Sequence, residues 1–363
     1  MSEYLYYRPE DLKEYIVRFL TTYKVPLQQA RTTAEILTAA DLRGIHTHGI
    51  TQLHVYYGDR LRTGLIETET KFDVVQETDN TIAFDAGDGL GQPAGVHAMK
   101  ACMEKAASHT IGIATVRNSN HFGFAGYYSM MALEQDMIGI SLTNSQPLMT
   151  PTYGSECILG TNPISVAVPT DKKRPYVLDM ATSIVSMGKI RIAELKGEQV
   201  PAGYGVDARG EITTDPSTII NEGGLLPLGG TDILSGYKGY GLSLLVDILS
   251  GVLSGAHFGT NIGRRISPVP TRVSVGHFFM AIKIDGFRPL IDFKQDMDTL
   301  IDQLVKSPKV EGKDRIFIHG EKEFEKAEEH QRSGIPLPVE VIETLKEKGI
   351  ETEVPFDLSP LAG

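Results

Sequence analysis

Two short steps in this chain set an imidazole close to a glycine. Thr47-His48-Gly49 closes a long N-terminal helical pattern, and Asn120-His121-Phe122-Gly123 lies between a strand pattern and a helix pattern. Imidazole is the side chain whose ordinary pKa lies nearest neutrality, so at the end of an element it can take or give a proton. Each has a structural use as well: His48 can satisfy a helix-end carbonyl, and His121 can be a loop residue oriented by Asn120. Asp41, Arg43 and Thr47 are near enough in sequence to tune His48, although seven residues along a helix bring Asp41 only loosely to the same face. His46 and His48, two apart on a helix, face different ways, and no nearby spacing supplies a third ligand, so no metal is expected. Ser145 and Ser183 lack the Gly-x-Ser-x-Gly elbow of a serine nucleophile.

The standard phosphate motifs are missing. Gly87-x-Gly89-x-Gly91 departs from the dinucleotide fingerprint because its third glycine arrives one residue early, and Gly188-Lys189 is followed by Ile190 where a Walker loop needs Ser or Thr. Gly87 to Gly91 reads first as a turn between strand and helix. Other loops, around Gly160, Asp179 and Gly236, could bring backbone amides or a helix N-terminus to a phosphate or carboxylate.

The whole chain narrows the partners. Its 363 residues, 41% apolar, suffice for one large core or two ordinary ones, and a net charge of −11 opposes phosphate backbones and anionic bilayers. Neither a nucleic acid nor a membrane is an expected partner. Cys102 and Cys157 permit one disulfide but define no framework, and a reducing interior fits them equally well. Met1 to Leu5 shows no basic leader and no stretch has the length of a membrane span, so the expected location is the cytoplasm.

The elements that must position these residues follow from periodicity. Leu12, Ile16, Val17 and Leu20 make one helical stripe, Leu27, Ala30, Ala34, Leu37 and Ala40 a second, and Leu53, Tyr56 and Leu61 a third ended by Gly64. Near Phe72 to Val75 and Thr81 to Phe84 the period shortens to that of strands, which puts a boundary near residue 75. Strands are expected at 111–116, 138–143, 164–168, 176–180 and 275–284. Helices are expected at 94–109, 122–136 and 240–253, the last apolar enough to be covered on most sides. Helices return at 293–306, 320–331 and 338–348, and the final dozen residues read as surface coil. The fold class is α/β: a central α/β domain over 76–285, inserted in a mainly helical domain built from both chain ends, 1–75 plus 286–363.

Six loops, taken in order, carry a resemblance. His48-Gly49, Asn120-His121-Phe122-Gly123, Gly160-Thr161-Asn162-Pro163, Asp179-Met180-Ala181-Thr182-Ser183, Thr213-Thr214-Asp215-Pro216 and Gly236-Tyr237-Lys238-Gly239-Tyr240-Gly241 closely resemble the type 2 malate/L-lactate dehydrogenase family, over about residues 8–335. The family also includes sulfolactate, ureidoglycolate and diketogulonate enzymes and reductases of cyclic imino acids. The resemblance implies NAD- or NADP-dependent interconversion of a 2-hydroxy acid and its 2-oxo acid on a non-Rossmann fold. It further implies a homodimer with the active cleft between the domains. A non-catalytic cofactor-binding homologue is the other class of reading.

The same resemblance assigns roles. His48 matches the histidine of the family's Ser-His-Gly motif, with Thr47 keeping the hydroxyl, and implies proton transfer to or from the substrate oxygen. His121 matches a second family histidine, either the base itself or a donor that orients the substrate beside the cofactor. Asp179 or Asp207 would supply a carboxylate that tunes His48. Ser145, Asp179, Met180, Ala181, Gly229, Gly230 and the His319-Gly320-Glu321 stretch would hold the cofactor, with Lys189 as a phosphate or carboxylate partner. One departure bears on substrate: Gln52 stands where many members carry an arginine for the substrate carboxylate, and a neutral amide replaces a bidentate cation. Arg43, Lys189, Arg191 and Arg264-Arg265 are the cations that could replace that charge.

Overall fold

A computed structural model describes residues 4–263 and 269–361. Strand β1 (Tyr4–Tyr7) leads into α1 (Pro9–Thr22), which starts on a proline at its first position with Glu10 and Asp11 in the first turn, where acidic charge favours a helix. Helix α1 packs its Leu12, Ile16, Phe19 and Leu20 face towards α2 (Leu27–Leu42). Gly44, at φ +75°, ends that second helix by letting the Ile45 amide turn back to the Ala40 carbonyl. His48 therefore does not close α2. It lies on a separate 3-10 turn, His46–His48, and the expected third helix is a wide turn, Leu53–Gly58, running into the short α3 (Asp59–Arg62).

The middle of the chain builds one mixed sheet. Strands β2 (Asp73–Glu77) and β3 (Thr81–Asp85) are followed by α4 (Gly91–His109), β4 (Ile111–Ser119), α5 (Gly126–Met131), β5 (Met137–Thr143), β6 (Ile164–Val168) and β7 (Tyr176–Met180). After α6 (Met187–Lys196) a small antiparallel sheet forms from β8 (Gly205–Val206), β9 (Ile212–Thr213) and, past α7 (Pro216–Asn221), β10 (Gly224–Leu225). Helix α8 (Gly236–Asp247) precedes β11 (Val275–Lys283), which enters the centre of the large sheet and gives the order β2-β3-β4-β11-β5-β6-β7. Of these neighbours only β3 and β4 run parallel. A doubly wound nucleotide sheet is mostly parallel, so this largely antiparallel sheet agrees with the missing glycine fingerprint. The expected boundary at residue 75 falls inside β2.

Helices α9 (Leu290–Lys306) and α10 (Glu321–Ser333) lead to β12 (Ile335–Pro338), which pairs antiparallel with β1, and to α11 (Val339–Glu351). Both chain ends thus share one apolar core, in which Tyr7, Ile16 and Phe19 meet Ile335, Leu337 and Leu345. The terminal segment is not surface coil: Val354 and Phe356 are buried, and the Phe356 ring stands edge-on to Tyr7 and Tyr15 at 5.5 and 4.9 Å. Two aromatic contacts there outweigh the acidic charge and the two prolines of the segment.

Two helices also differ from expectation. The helix expected at 122–136 begins only at Gly126 and passes into a 3-10 turn at Ala132, because Asn120 to Phe124 form an irregular loop with Gly123 at φ +86°. Helix α8, extended by a wide turn over Ile248–Val252, is covered on one side only. It buries Gly239, Ser243, Val246 and Asp247, whereas Leu245, Ile248 and Val252 are 47%, 44% and 53% exposed. Among the described residues no helix is long and apolar enough to cross a membrane.

Candidate active site

A cavity of about 720 Å³ opens between the His48 turn, the loop after β4, the ends of β6 and β7, the start of α6 and the segment before α10. His48 and His121 both line it, their rings stacked with centroids 5.4 Å apart. The two steps singled out in the sequence thus meet across 73 residues of chain.

The His48 wall is held from below by a carboxylate. Asp41, fully buried, accepts the Ile50 amide at 2.7 Å and pairs with His46 Nδ1 at 3.1 Å. Burial pushes the Asp41 pKa up, against the lowering effect of His46 and the Ile50 amide. Asp41 therefore braces His46, while His48 meets its neighbour: Thr47 Oγ1 lies 2.9 Å from His48 Nδ1. Gly49 is required here, since a Cβ would sit 2.1 Å from the Asp41 carboxylate. Gln52 lines the cavity and its amide donates to the Thr47 carbonyl at 2.8 Å, closing the turn.

The His121 wall is built by tyrosines and the glycine-rich turn. Asn120 is buried and donates to the Asp88 and Gly89 carbonyls at 2.9 and 3.0 Å. A Cβ on Gly91 would lie 2.2 Å from the Asn120 carbonyl, so Gly87 to Gly91 is a close-packed turn supporting the His121 loop. His121 Nδ1 meets the Tyr57 hydroxyl at 2.6 Å and the Gly123 amide at 3.4 Å, and its own amide donates to the Tyr56 hydroxyl. Phe122 stacks between Tyr128 and the buried His277, which burial holds neutral with a pKa lowered to about 3.

Asp179, at the end of β7, is open to the cavity and surrounded by protein on its other sides. That enclosure pushes its pKa up to about 7, although it accepts the Gly126 amide at 2.7 Å and faces the Arg43 charge; Glu323 raises it further. Met180, Ala181, His319 and Gly320 line the same cavity. The other expected residues lie outside its lining. Ser145 sits just behind Gln146 and Thr161, where its hydroxyl accepts the Thr161 amide at 3.1 Å and its amide donates to Asn162 Oδ1 at 3.0 Å. Glu321 accepts the Ile318 amide at 2.9 Å and pairs with Arg315. Gly229 and Gly230, at φ +93° and +68°, shape the loop before α8.

Two of the expected residues stand away from the cavity. Asp207 is a turn residue: it accepts the Glu211 and Arg209 amides at 3.0 and 2.8 Å, which hold its pKa low, and it has no place in the cavity where it could tune His48. Lys189 is exposed on α6 outside the lining, whereas Arg191 two residues on reaches the cavity. Arg43 also lines it, with its guanidinium 4.4 Å from the Phe324 ring centroid; Arg264 and Arg265 lie outside the described residues. Tyr57, Gln92, Lys322 and Glu323 belong to no local motif and are placed by tertiary contacts alone. The Thr213 to Pro216 motif has a structural use: Asp215 caps α7 by accepting the Ser217 and Thr218 amides, and Pro216 occupies the first turn. Among the described residues no group of three or more His, Cys, Asp or Glu could hold a metal ion.

Comparison with known proteins agrees along the whole chain. A family model described as malate/L-lactate dehydrogenase matches residues 7–346. Malate dehydrogenase of Pyrococcus abyssi is 45% identical over 93% of this chain and 92% of its own length. L-sulfolactate dehydrogenase of Methanocaldococcus jannaschii is 38% identical over 94% and 95%. The solved structure of malate dehydrogenase from Pyrococcus horikoshii superposes with a TM-score of 0.89 at 41% identity, covering 99% of each chain. The chain belongs to the malate/L-lactate dehydrogenase family.

Proposed function

We propose that the protein interconverts a small 2-hydroxy acid of the malate or lactate type and its 2-oxo acid, with NAD or NADP as hydride carrier. The observation that carries this reading is the stacked His48–His121 pair facing a cavity that Asp179 and the start of α6 also line. The cavity's size lies within the range of small-molecule and cofactor sites, and its lining fits a dinucleotide. Met180, Ala181 and Pro163 offer an apolar surface for a flat ring, while Arg191, Lys322 and the first turn of α6, which has no side-chain cap, offer positive charge and amide donors. Nicotinamide, when bound, accepts or returns the C2 hydride.

The protein's own residues do the rest. His48 takes the C2 hydroxyl proton during oxidation and returns it to the forming alkoxide during reduction, with the Thr47 hydroxyl holding Nδ1. His121 holds the substrate oxygen. Arg191 and Arg43 supply positive charge for a carboxylate where Gln52 supplies only an amide. Sulfolactate is the second substrate reading, because the 38% identical relative carries that name and a sulfonate needs the same positive lining. The exposed Leu245, Ile248 and Val252 face of α8 supports a homodimer in which a second copy covers it. Leu245→Glu should then sediment as a monomer. The unpaired thiols of Cys102 and Cys157 suit a reducing cytoplasm.

The test is a panel of malate, lactate, sulfolactate and ureidoglycolate with their oxo forms, against NAD and NADP, followed at the reduced-nicotinamide absorbance band. Turnover of at least one pair is expected. Absence of any absorbance change across the panel would overturn the reading.

A further inference from the structure

We propose that Gln92 and Tyr57 are positioning residues that hold His121 with its proton on Nε2, making His121 a fixed hydrogen-bond donor and leaving proton transfer to His48. The proposal rests on the function proposed above for the meaning of that donor, but the tautomer itself stands on the geometry of the wall. Neither Gln92 nor Tyr57 lines the cavity.

The chain of donors runs one way. Gln92, on the first turn of α4, and Tyr57 are both 0% exposed, and the Gln92 amide nitrogen donates to the Tyr57 hydroxyl. With that lone pair occupied, the Tyr57 proton points to His121 Nδ1 at 2.6 Å. The Gly123 amide approaches the same nitrogen at 3.4 Å. An atom that faces two donors is an acceptor, so Nδ1 is unprotonated and the ring proton is on Nε2, at the other edge of the imidazole.

The Gly123 contribution matters because it cannot be reversed. An amide side chain can be turned to exchange its oxygen and nitrogen, but a backbone N–H is fixed by the covalent chain. The orientation of Gln92 has its own support. Its Oε1 is buried without a hydrogen-bond partner among the described residues, and turning the amide would bury an NH2 group with two hydrogens in that place.

The consequence concerns both histidines. To act as a general acid, His121 would carry protons on both nitrogens, and its Nδ1–H would then oppose the Gly123 N–H and displace the Tyr57 donor. To act as a general base, it would need a bare Nε2, which puts the proton on Nδ1 against the same two donors. Neither state fits the wall. A neutral ring with Nε2–H can donate to the substrate C2 oxygen in both reaction directions without changing protonation. His48 Nδ1 instead meets a hydroxyl, which can donate or accept and so follows a change in the ring.

The tautomer can be read directly in the protein without cofactor or substrate, by long-range proton–nitrogen correlation with nitrogen-15 histidine labelling, His121→Asn identifying the signal. The Nε2–H pattern is expected; an Nδ1–H pattern or an even mixture overturns the proposal, whether or not the protein turns over 2-hydroxy acids. Gln92→Glu, close to isosteric, turns the Tyr57 hydroxyl away: its carboxylate accepts the Tyr57 hydrogen bond, the Gly123 amide stays at Nδ1, and the His121 signal should shift from the pure Nε2–H pattern towards a mixture of tautomers. The same substitution should lower kcat/KM for the 2-oxo acid about 10-fold, at the scale of one hydrogen bond, with the cofactor KM unchanged. A Gln92→Glu protein with the wild-type His121 pattern would also overturn it.

Discussion

The two walls of the cavity carry the same side chain and treat it differently. On the His121 wall, Tyr56, Tyr57, Asn120 and the Gly123 amide surround the loop with partly buried hydrogen bonds, and Phe122 is clamped between two rings. On the His48 wall, the ring stands on a one-turn 3-10 element beside a threonine hydroxyl, with Asp41 supporting the turn through His46 and Ile50. A rigid, one-directional set of donors suits a group that must not change its proton. A hydroxyl that can reverse its hydrogen bond suits one that must. On the proposed roles, carrier and donor are told apart by what backs each imidazole, since both rings face the same cavity.

The comparison can be broken most forcefully at His48. His48→Ala should lower kcat by roughly 10²–10⁴, the usual worth of a positioned general acid–base, while cofactor binding measured by thermal stabilisation persists. Near-wild-type kcat would remove His48 as the proton carrier. His121→Asn should cost less, about 10–100-fold in kcat/KM, because it removes a fixed donor and leaves the carrier in place. A larger loss there than at His48 would invert the two walls. Gln52→Arg, which puts a cation beside Thr47, should shift the ratio of kcat/KM between a dicarboxylic and a monocarboxylic 2-hydroxy acid, by about 10-fold if one charge-assisted bond is made, leaving cofactor KM alone. Identical ratios in both proteins would show that Gln52 does not meet the substrate.

The smallest effect concerns an imidazole that is fully enclosed. His54 is buried against Phe19, with Nε2 2.9 Å from the Tyr15 hydroxyl, and burial lowers its pKa to about 4. The folded state thus binds fewer protons than the unfolded chain between that value and about 6.5, so its contribution is present above pH 6.5 and is lost as pH falls towards 4. His54→Gln should cost about 1 kcal/mol at pH 7, and the deficit should shrink as pH falls through that window. A deficit that stays constant or grows would show that His54 is charged in the fold. His54 and His277 mark the limit that the cavity histidines avoid: full enclosure leaves a histidine neutral, as a packing group.

The sequence made local elements legible where period and burial coincide. The strand at 164–168, which alternates in burial, that at 176–180, and helices α1, α2 and α11, whose apolar faces meet one core, agree with the expectation. It failed where burial departs from composition. The segment around Phe356 is acidic and broken by two prolines yet supplies two core side chains, and the apolar stretch from Tyr240 to Leu253 leaves a whole face uncovered. Both histidine steps were visible because histidine next to glycine at an element end is a local signal. The parts that tell them apart, Tyr57, Gln92 and the pairing of Asp41 with His46 in place of His48, depend on which turns meet in space. Asp207 misled for the same reason. An aspartate near a strand end looks alike whether it faces a cavity or caps a turn.

The division of labour between the two walls is tested most directly by chemical rescue. Turnover of His48→Ala and of His121→Ala should be followed at the reduced-nicotinamide band as imidazole is added. A diffusible imidazole can carry a proton but cannot reproduce a tautomer fixed by Tyr57 and Gly123, so imidazole should restore much of the kcat of His48→Ala and leave His121→Ala unchanged. Rescue of His121→Ala, with His48→Ala unmoved, would contradict the account.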